Sequence, residues 1–318
     1  MPEIVVALIA GGISSERDVS LAGGDQIFSA LDKNRYTVLR YDPRDDIERL
    51  VRDAGQIDTA FINLHGRFGE DGSIQGLLDL LGIPYQCSGV LGSALATNKL
   101  VSKHIYEHNG LPVPPYAILR KGDEKGLEDW VRRYPDEAVV VKPVSGGSSI
   151  GMSIVWDPAE LDSAVESAFV YDDTVLLETY IKGVELTGGV IGNDAIEPLP
   201  VVEIIPGEEF RFFDYKAKYT PGATREICPA RINEKMTAKV QEYACRAHIA
   251  LFCKGYSRTD MIVRGDDVFV LETNTIPGMV PTSLLPLAAR TAGMSFSDLL
   301  DRLIALSLEK ADGKTTDR

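Results

Sequence analysis

Between Ile4 and Tyr85 short apolar runs alternate with polar stretches of helical length, and this alternation restricts the segment to an open parallel sheet crossed by helices. The runs are IVVALIA, YTVLRY and TAFINLH; a polar helix is expected from about Asp18 to Leu31 and a charged one after the second run. Ligand-binding loops of such a sheet lie at the carboxyl ends of its strands. Those positions hold GGISSER and HGRFGEDG.

A helix-rich stretch from Leu91 to Asn109 stops at Gly110, and LPVPPY forms a stiff link into the next unit. Next come a strand PYAIL, a helix near Lys125 to Arg133, a strand AVVVKPV, the loop SGGSSIG, a strand MSIVW, a helix opening at Asp157 and Pro158, and a strand TVLLETY. Here a strand meets a glycine loop and then another strand, unlike the strand–loop–helix of P-loop and Rossmann sites. From about Gly183 the pattern gives several strands, a helix near Glu234 to Leu251, the strands SRTDMIV and DVFVLETN, and two closing helices. With 318 residues the chain exceeds one small core, and the expected division is 1–96, 97–182 and 183–310 with a polar tail at 311–318.

The 33 basic and 47 acidic residues give a net charge of −14, which repels nucleic acid and anionic lipid. An anionic substrate such as ATP therefore needs a local group of Lys and Arg together with a divalent cation. The run Ile4 to Ala10 follows Glu3 without a basic leader and is read as a buried strand, and no stretch is long enough to span a bilayer. Cys87, Cys228, Cys245 and Cys253 form no CxxC pair, which points to free thiols in a reducing cytoplasm.

The loop from Ser145 to Gly151, directly after Lys142, offers backbone N–H groups, hydroxyls and a cation to a phosphate chain. By itself it is equally a flexible hairpin. Glu272 and Asn274 are two residues apart on one candidate strand, and Asp260 can meet them from the neighbouring one. Three hard oxygen groups inside apolar strands suit magnesium that bridges ATP phosphates. Lys99, Lys142, Lys218, Arg258 and Gly278 supply positive or N–H groups for a triphosphate and a developing oxyanion.

Beyond these single features, the segments GGISSERDVSL, LHGRFGEDGSIQGLLDLLGIPY, SGVLGSALATNKLVSK, VVKPVSGGSSIGMS, LLETYIKGVELT, LPVVEI, FFDYKAKYTPGATREICPARI, YSRTDMIV and ETNTIPGMVPTSLLPLAARTAGMSFSDLL cover nearly the whole chain. In content and order they resemble the D-alanine–D-alanine ligases of the ATP-grasp superfamily. The resemblance implies three α/β domains: a Rossmann-like N-terminal domain, a central lid domain, and a C-terminal domain that holds ATP against the central one. It implies ATP and two Mg2+ or Mn2+ ions as cofactors, D-alanine as substrate, and a product used for peptidoglycan. A homodimer is the expected assembly. By matched position, Lys99, Lys142, Ser149 and Lys218 belong to the ATP phosphate site, Glu178, Tyr180 and Ile181 to the adenine pocket, and Glu185 to the ribose. Asp260, Glu272 and Asn274 become the metal ligands. Glu16 takes the ammonium of the first D-alanine with His65 nearby, and Ser283 and Leu284 take the carboxylate of the second. Arg258 and the Gly278 N–H form the oxyanion hole, while Glu16, Ser148 and the loop residue Tyr219 form a hydrogen-bonded triad.

This chain has Asn98, Tyr180 and Ile276 where such ligases often carry aspartate, tryptophan and serine. None of these differences removes a charged catalytic group. The sequence DYKAKY resembles the dipeptide-forming branch more than ligases that make D-alanyl-D-lactate. Other readings are an ATP-grasp ligase with another acid and amine, a non-catalytic nucleotide-binding protein, and a nicotinamide dehydrogenase, which GGISSER disfavours because it is not GxGxxG. His104 to His108 formally match the HxxEH of zinc peptidases, a pattern that short chance matches readily produce.

Overall fold

Strand β1 (Ile4–Ala10) lies between β2 (Tyr36–Tyr41) and β3 (Thr59–Asn63), all parallel, as the apolar runs require. The crossovers are α1 (Arg17–Ala30) and α2 (Ile47–Asp53). The computed structural model describes residues 4–147, 150–207, 224–280 and 283–309. At the end of β1, Gly11 and Gly12 turn with φ of +104° and +79°, a region open to glycine. The Arg17–Asp42 ion pair then closes the loop.

Three helices come next: α3 (Ser73–Leu81), α4 (Val90–Thr97) and α5 (Lys99–His108). Asn98 separates the last two. Its backbone is extended and its side-chain oxygen accepts from Val101 N at 3.0 Å, so it caps α5 and aims that helix independently of α4.

The second sheet is antiparallel throughout and contains β4 (Tyr116–Arg120), β5 (Val139–Pro143), β6 (Ser153–Val155) and β7 (Thr174–Thr179) in the order β4-β7-β5-β6. Its alternation is strict. Val139, Val141, Val175 and Leu177 pack with Trp130 of α6 (Glu124–Arg133) and Leu161 and Val165 of α7 (Leu161–Ala168). Val140, Lys142 and Glu178 are thereby turned to the opposite face, where they line a cleft.

The third sheet is formed by β8 (Val184–Ile191), β9 (Glu197–Pro198), β10 (Val202–Pro206), β11 (Thr224–Ile227), β12 (Tyr256–Arg264) and β13 (Asp267–Asn274). Its order is β11-β10-β8-β12-β13, with β9 on β8. One face packs on α8 (Glu234–Ala250) through Val240, Ala244 and Ala247. The chain then closes with α9 (Leu284–Thr291) and α10 (Phe296–Ser307). Leu299, Leu300 and Leu303 of α10 share a buried cluster with Val6, Leu8 and Phe61, so the first and third sheets are welded by one core. Among the described residues no helix is long and apolar enough to cross a membrane.

The start of β12 is held tightly against the chain after β3. Gly255 has φ of +69°, and a Cβ there would lie 1.9 Å from the Gln86 carbonyl oxygen. Gly265 has a similar φ of +61° with open space around it. Gly255→Ala should therefore lower unfolding free energy by roughly 3 kcal/mol, and Gly265→Ala by about 1 kcal/mol, as read from urea midpoints. Equal losses would contradict the close docking.

Candidate active site

A cleft of about 460 Å³ separates the exposed faces of the second and third sheets. On one wall stand Lys142 of β5, Glu178 of β7 and Lys99 of α5; on the other stand Glu185 of β8, Asp260 of β12 and Glu272 of β13. Tyr180 and Ile181 line its far end, and the Tyr180 ring meets Trp156 edge-on at 5.0 Å.

The first wall is built around a buried carboxylate. Glu178 forms ion pairs through Oε2 with Lys142 and through Oε1 with Lys103 of α5. Burial pushes the Glu178 carboxyl upward, but the two ammonium groups outweigh it and hold the group below its ordinary value. Burial also pulls Lys103 below the ordinary lysine value, against the opposing pull of Glu178. Lys99 ties α5 to the glycine loop: its N–H donates to the Val144 carbonyl at 3.0 Å and its Nζ to the Gly146 carbonyl at 2.5 Å. At the loop's far end Gly151 has φ of +73°, and a Cβ there would meet the Tyr171 ring at 2.6 Å. Ser148 and Ser149, and likewise Lys218 and Tyr219, lie outside the described residues.

The second wall depends on an irregularity. Val268 and Val270 of β13 face the core, so unbroken alternation would send Glu272 and Asn274 there as well. A β-bulge prevents this. Asp260 pairs with Glu272 but Met261 pairs with Val270, which leaves Leu271 as the extra residue. Leu271 and Glu272 both line the cleft, while Thr273 turns inward and accepts from the Tyr106 hydroxyl at 2.8 Å. Asp260 is held from three directions: Arg258 donates Nε to Oδ1 at 3.0 Å and Nη2 to Oδ2 at 2.9 Å, and Thr187 donates its hydroxyl to Oδ1 at 2.6 Å. Asn274, opposite Arg258 in the ladder, accepts from Ile276 N at 2.8 Å through Oδ1.

Among the described residues no group of three or more His, Cys, Asp and Glu converges as a metal cage. Two carboxylates on adjacent strands with one amide oxygen nearby are nevertheless the donor chemistry that suits Mg2+, which retains substrate oxygens and water.

The amino-terminal loops approach this cleft through Gly147. A Cβ on Gly147, which lines the cleft, would lie 3.6 Å from Glu70 Oε2 and 3.8 Å from Glu16 Oε2. Glu16 is buried, and Glu70 accepts from Gly66 N at 2.7 Å. His65 stands 3.9 Å from Glu70 through Nδ1 and lines a second cavity of about 260 Å³ at the ends of β1 and β3. Gly278 and Ser283 adjoin each other, since a Cβ on Gly278 would meet the Ser283 hydroxyl at 3.1 Å. Asn274, Gly278, Ser283 and the buried Leu284 line neither of these two cavities.

Several groups of the site carry no role that the sequence alone assigns. Lys103 has a readable signal, since it follows Lys99 by one helical turn. Glu70 belongs to the HGRFGEDG loop. Thr187 and the Glu203–Arg231 pair, with Nε–Oε2 of 2.9 Å and Nη2–Oε1 of 2.7 Å, carry none outside the fold. The HxxEH residues do not converge on a metal: His104 and His108 are exposed, and Glu107 accepts from the Tyr116 hydroxyl at 2.7 Å.

Family models described as D-ala D-ala ligase N-terminus and C-terminus match residues 43–88 and 105–305. The chain belongs to the D-alanine–D-alanine ligase family. A D-alanine–D-alanine ligase of Syntrophobacter fumaroxidans is 61% identical over 96% of this chain and 98% of its own length. One of Desulfotalea psychrophila is 51% identical, with 97% and 96% covered. The solved D-alanine–D-alanine ligase of Bacillus anthracis complexed with ATP superposes with a TM-score of 0.82 at 35% identity, covering 96% of this chain and 97% of that one. The VanG D-Ala:D-Ser ligase of Enterococcus faecalis gives 0.83 at 30% identity, with 96% and 99% covered. The fold is the ATP-grasp fold of these ligases.

Burial disfavours the charged His65 imidazole, yet Glu70 and Glu16 outweigh burial and the opposing Arg258, and its pKa is raised. Its contribution to stability is then fully present below about pH 6.5, the unfolded value, and is lost as pH rises through the folded-state value. Glu70→Gln should move the His65 titration, followed by imidazole NMR, to lower pH; an unchanged midpoint would remove Glu70 as the cause.

Proposed function

We propose that this chain couples two D-alanine molecules with cleavage of ATP, giving D-alanyl-D-alanine, ADP and phosphate. The observation that carries the reading is the opposition of Lys99 and Lys142 to Asp260 and Glu272 across one cleft. Such opposed walls suit a polyphosphate neutralised by lysines on one side and by carboxylate-held cations on the other. The adenine lies toward Glu178, Tyr180 and Ile181, with the ribose at Glu185. We assign the chain three domains, 1–96, 97–182 and 183–310, with ATP between the last two.

Glu16 and His65 position the first D-alanine so that its carboxylate attacks the γ-phosphorus. A carboxylate oxygen–phosphorus bond forms, the bond to ADP breaks, and an acyl phosphate results. This step requires positioning and charge neutralisation more than covalent help. Asp260, Glu272 and Asn274 would hold Mg2+ or Mn2+, whose contribution is to offset phosphate charge. The second D-alanine, held by its carboxylate at Ser283 and Leu284, attacks the acyl carbon through its free amine. Arg258 and the Gly278 N–H stabilise the oxyanion, and phosphate departs as the peptide bond forms. Ser148, Ser149, Lys218 and Tyr219 complete the closed site by their motif positions, excluding water that would hydrolyse the acyl phosphate. The setting consistent with this activity is cytoplasmic peptidoglycan precursor synthesis by a homodimer.

The nearest rival reading is a ligase that places D-serine or D-lactate at the second position, and the likeness to a D-Ala:D-Ser ligase gives it substance. ADP release measured with D-alanine, L-alanine, D-serine and D-lactate in turn separates the two. Stimulation by D-alanine alone, with the dipeptide as product, is expected; ATP binding without any release would leave a nucleotide-binding protein. Arg258→Ala should lower turnover by roughly a hundredfold to a thousandfold while ATP still binds. A near-normal rate would exclude Arg258 from the oxyanion hole.

A further inference from the structure

The ammonium of Lys103 has no place at the cleft surface. Its residue is 0% exposed, it projects from the buried side of α5, and it meets one oxygen of Glu178 and the Tyr116 ring, whose centroid is 5.5 Å away. Lys142 meets the other oxygen of the same carboxylate, and unlike Lys103 it lines the cleft. Two ammonium groups around one carboxylate leave one net positive charge. Lys142 and Glu178 without Lys103 would leave none.

We infer that Lys103 is a positioning residue for ATP: by occupying the second oxygen of Glu178, it leaves the charge of Lys142 available to the nucleotide's phosphates. The inference rests on the reading of the cleft as an ATP site and adds a residue that touches no substrate. Three features of the geometry support it. First, the Lys103–Glu178 pair is closed off from water, so its charges are weakly screened and act strongly on Lys142. Second, Glu178 lies on β7 beside β5, so a carboxylate that loses one cationic partner turns its full charge on the lysine that remains. Third, α5 also carries Lys99 at its first turn, one helical turn from Lys103, so one rigid helix sets both a cleft cation and the buried cation behind the wall.

A purely structural ion pair would behave differently, and a double-mutant cycle separates the cases. Equilibrium binding of ATP with Mg2+, and of adenosine, is measured on the full chain and on Lys103→Met, Glu178→Gln and the double variant. Lys103→Met should weaken ATP binding by roughly tenfold or more while adenosine changes by less than about threefold. In the Glu178→Gln background the same Lys103→Met change should alter ATP affinity by less than about threefold, because no carboxylate remains to capture Lys142. Equal ATP losses in both backgrounds, equal losses for ATP and adenosine, or no loss at all would overturn the role. If Lys103→Met alone does not fold, Lys103→Gln replaces it in the same cycle: an ATP-selective loss that disappears in the Glu178→Gln background supports the inference, and a loss that persists there, or no loss in either background, overturns it. Wild-type chain that binds no ATP would instead remove the reading of the cleft, and the inference with it.

Discussion

Everything in the site depends on opposite charges being held apart by two sheets with a cleft between them. A chain of net charge −14 cannot attract a triphosphate with its surface at large. Positive charge therefore has to be concentrated and shielded from competing carboxylates. The Lys103–Glu178–Lys142 cluster does this by satisfying the buried carboxylate twice. On the facing wall Arg258 and Thr187 fix Asp260, so that it and Glu272 present oxygen to the same space. Buried charges left without such partners would be costly.

The fold supplies this arrangement through register. Strict alternation in the second sheet turns Lys142 and Glu178 away from the apolar core beneath them. The third sheet needs one extra residue, Leu271, to turn Glu272 toward the cleft while Val270 and Thr273 remain packed. The core shared by β1, β3 and α10 fixes the amino-terminal sheet against the third. Glu16 and Glu70, from loops of that sheet, thereby come to the edge of the glycine loop, with His65 beside Glu70.

Much of the fold is legible in the sequence because the signals are local. Apolar runs bounded by glycine and proline mark the strands, and the quoted motifs run along the whole chain in family order. The pairing of Asp260 with Glu272 is also accessible, since two apolar strands joined at Gly265 form a hairpin. The bulge is not. Alternation counted along DVFVLETN puts Glu272 on the face of the buried valines, and only the pairing of Asp260 and Met261 shows the slip. The spacing of Lys103 from Lys99 is readable, but its burial is not: a lysine on a polar helix is ordinarily solvated, and the burial of Lys103 is a property of how α5 lies on the second sheet. Glu178 is expected from its motif to line the adenine pocket. The structure adds its two lysine partners, which lie 75 and 36 residues away along the chain and are invisible to spacing rules.

An anomalous-difference map from crystals grown with a non-hydrolysable ATP analogue and Mn2+ tests the opposed-wall arrangement most directly. Manganese should lie between the Asp260 and Glu272 carboxylates, at about 2.0–2.3 Å from their oxygens, with the terminal phosphate toward Lys142. Manganese elsewhere, with the triphosphate turned away from Lys142, would contradict it.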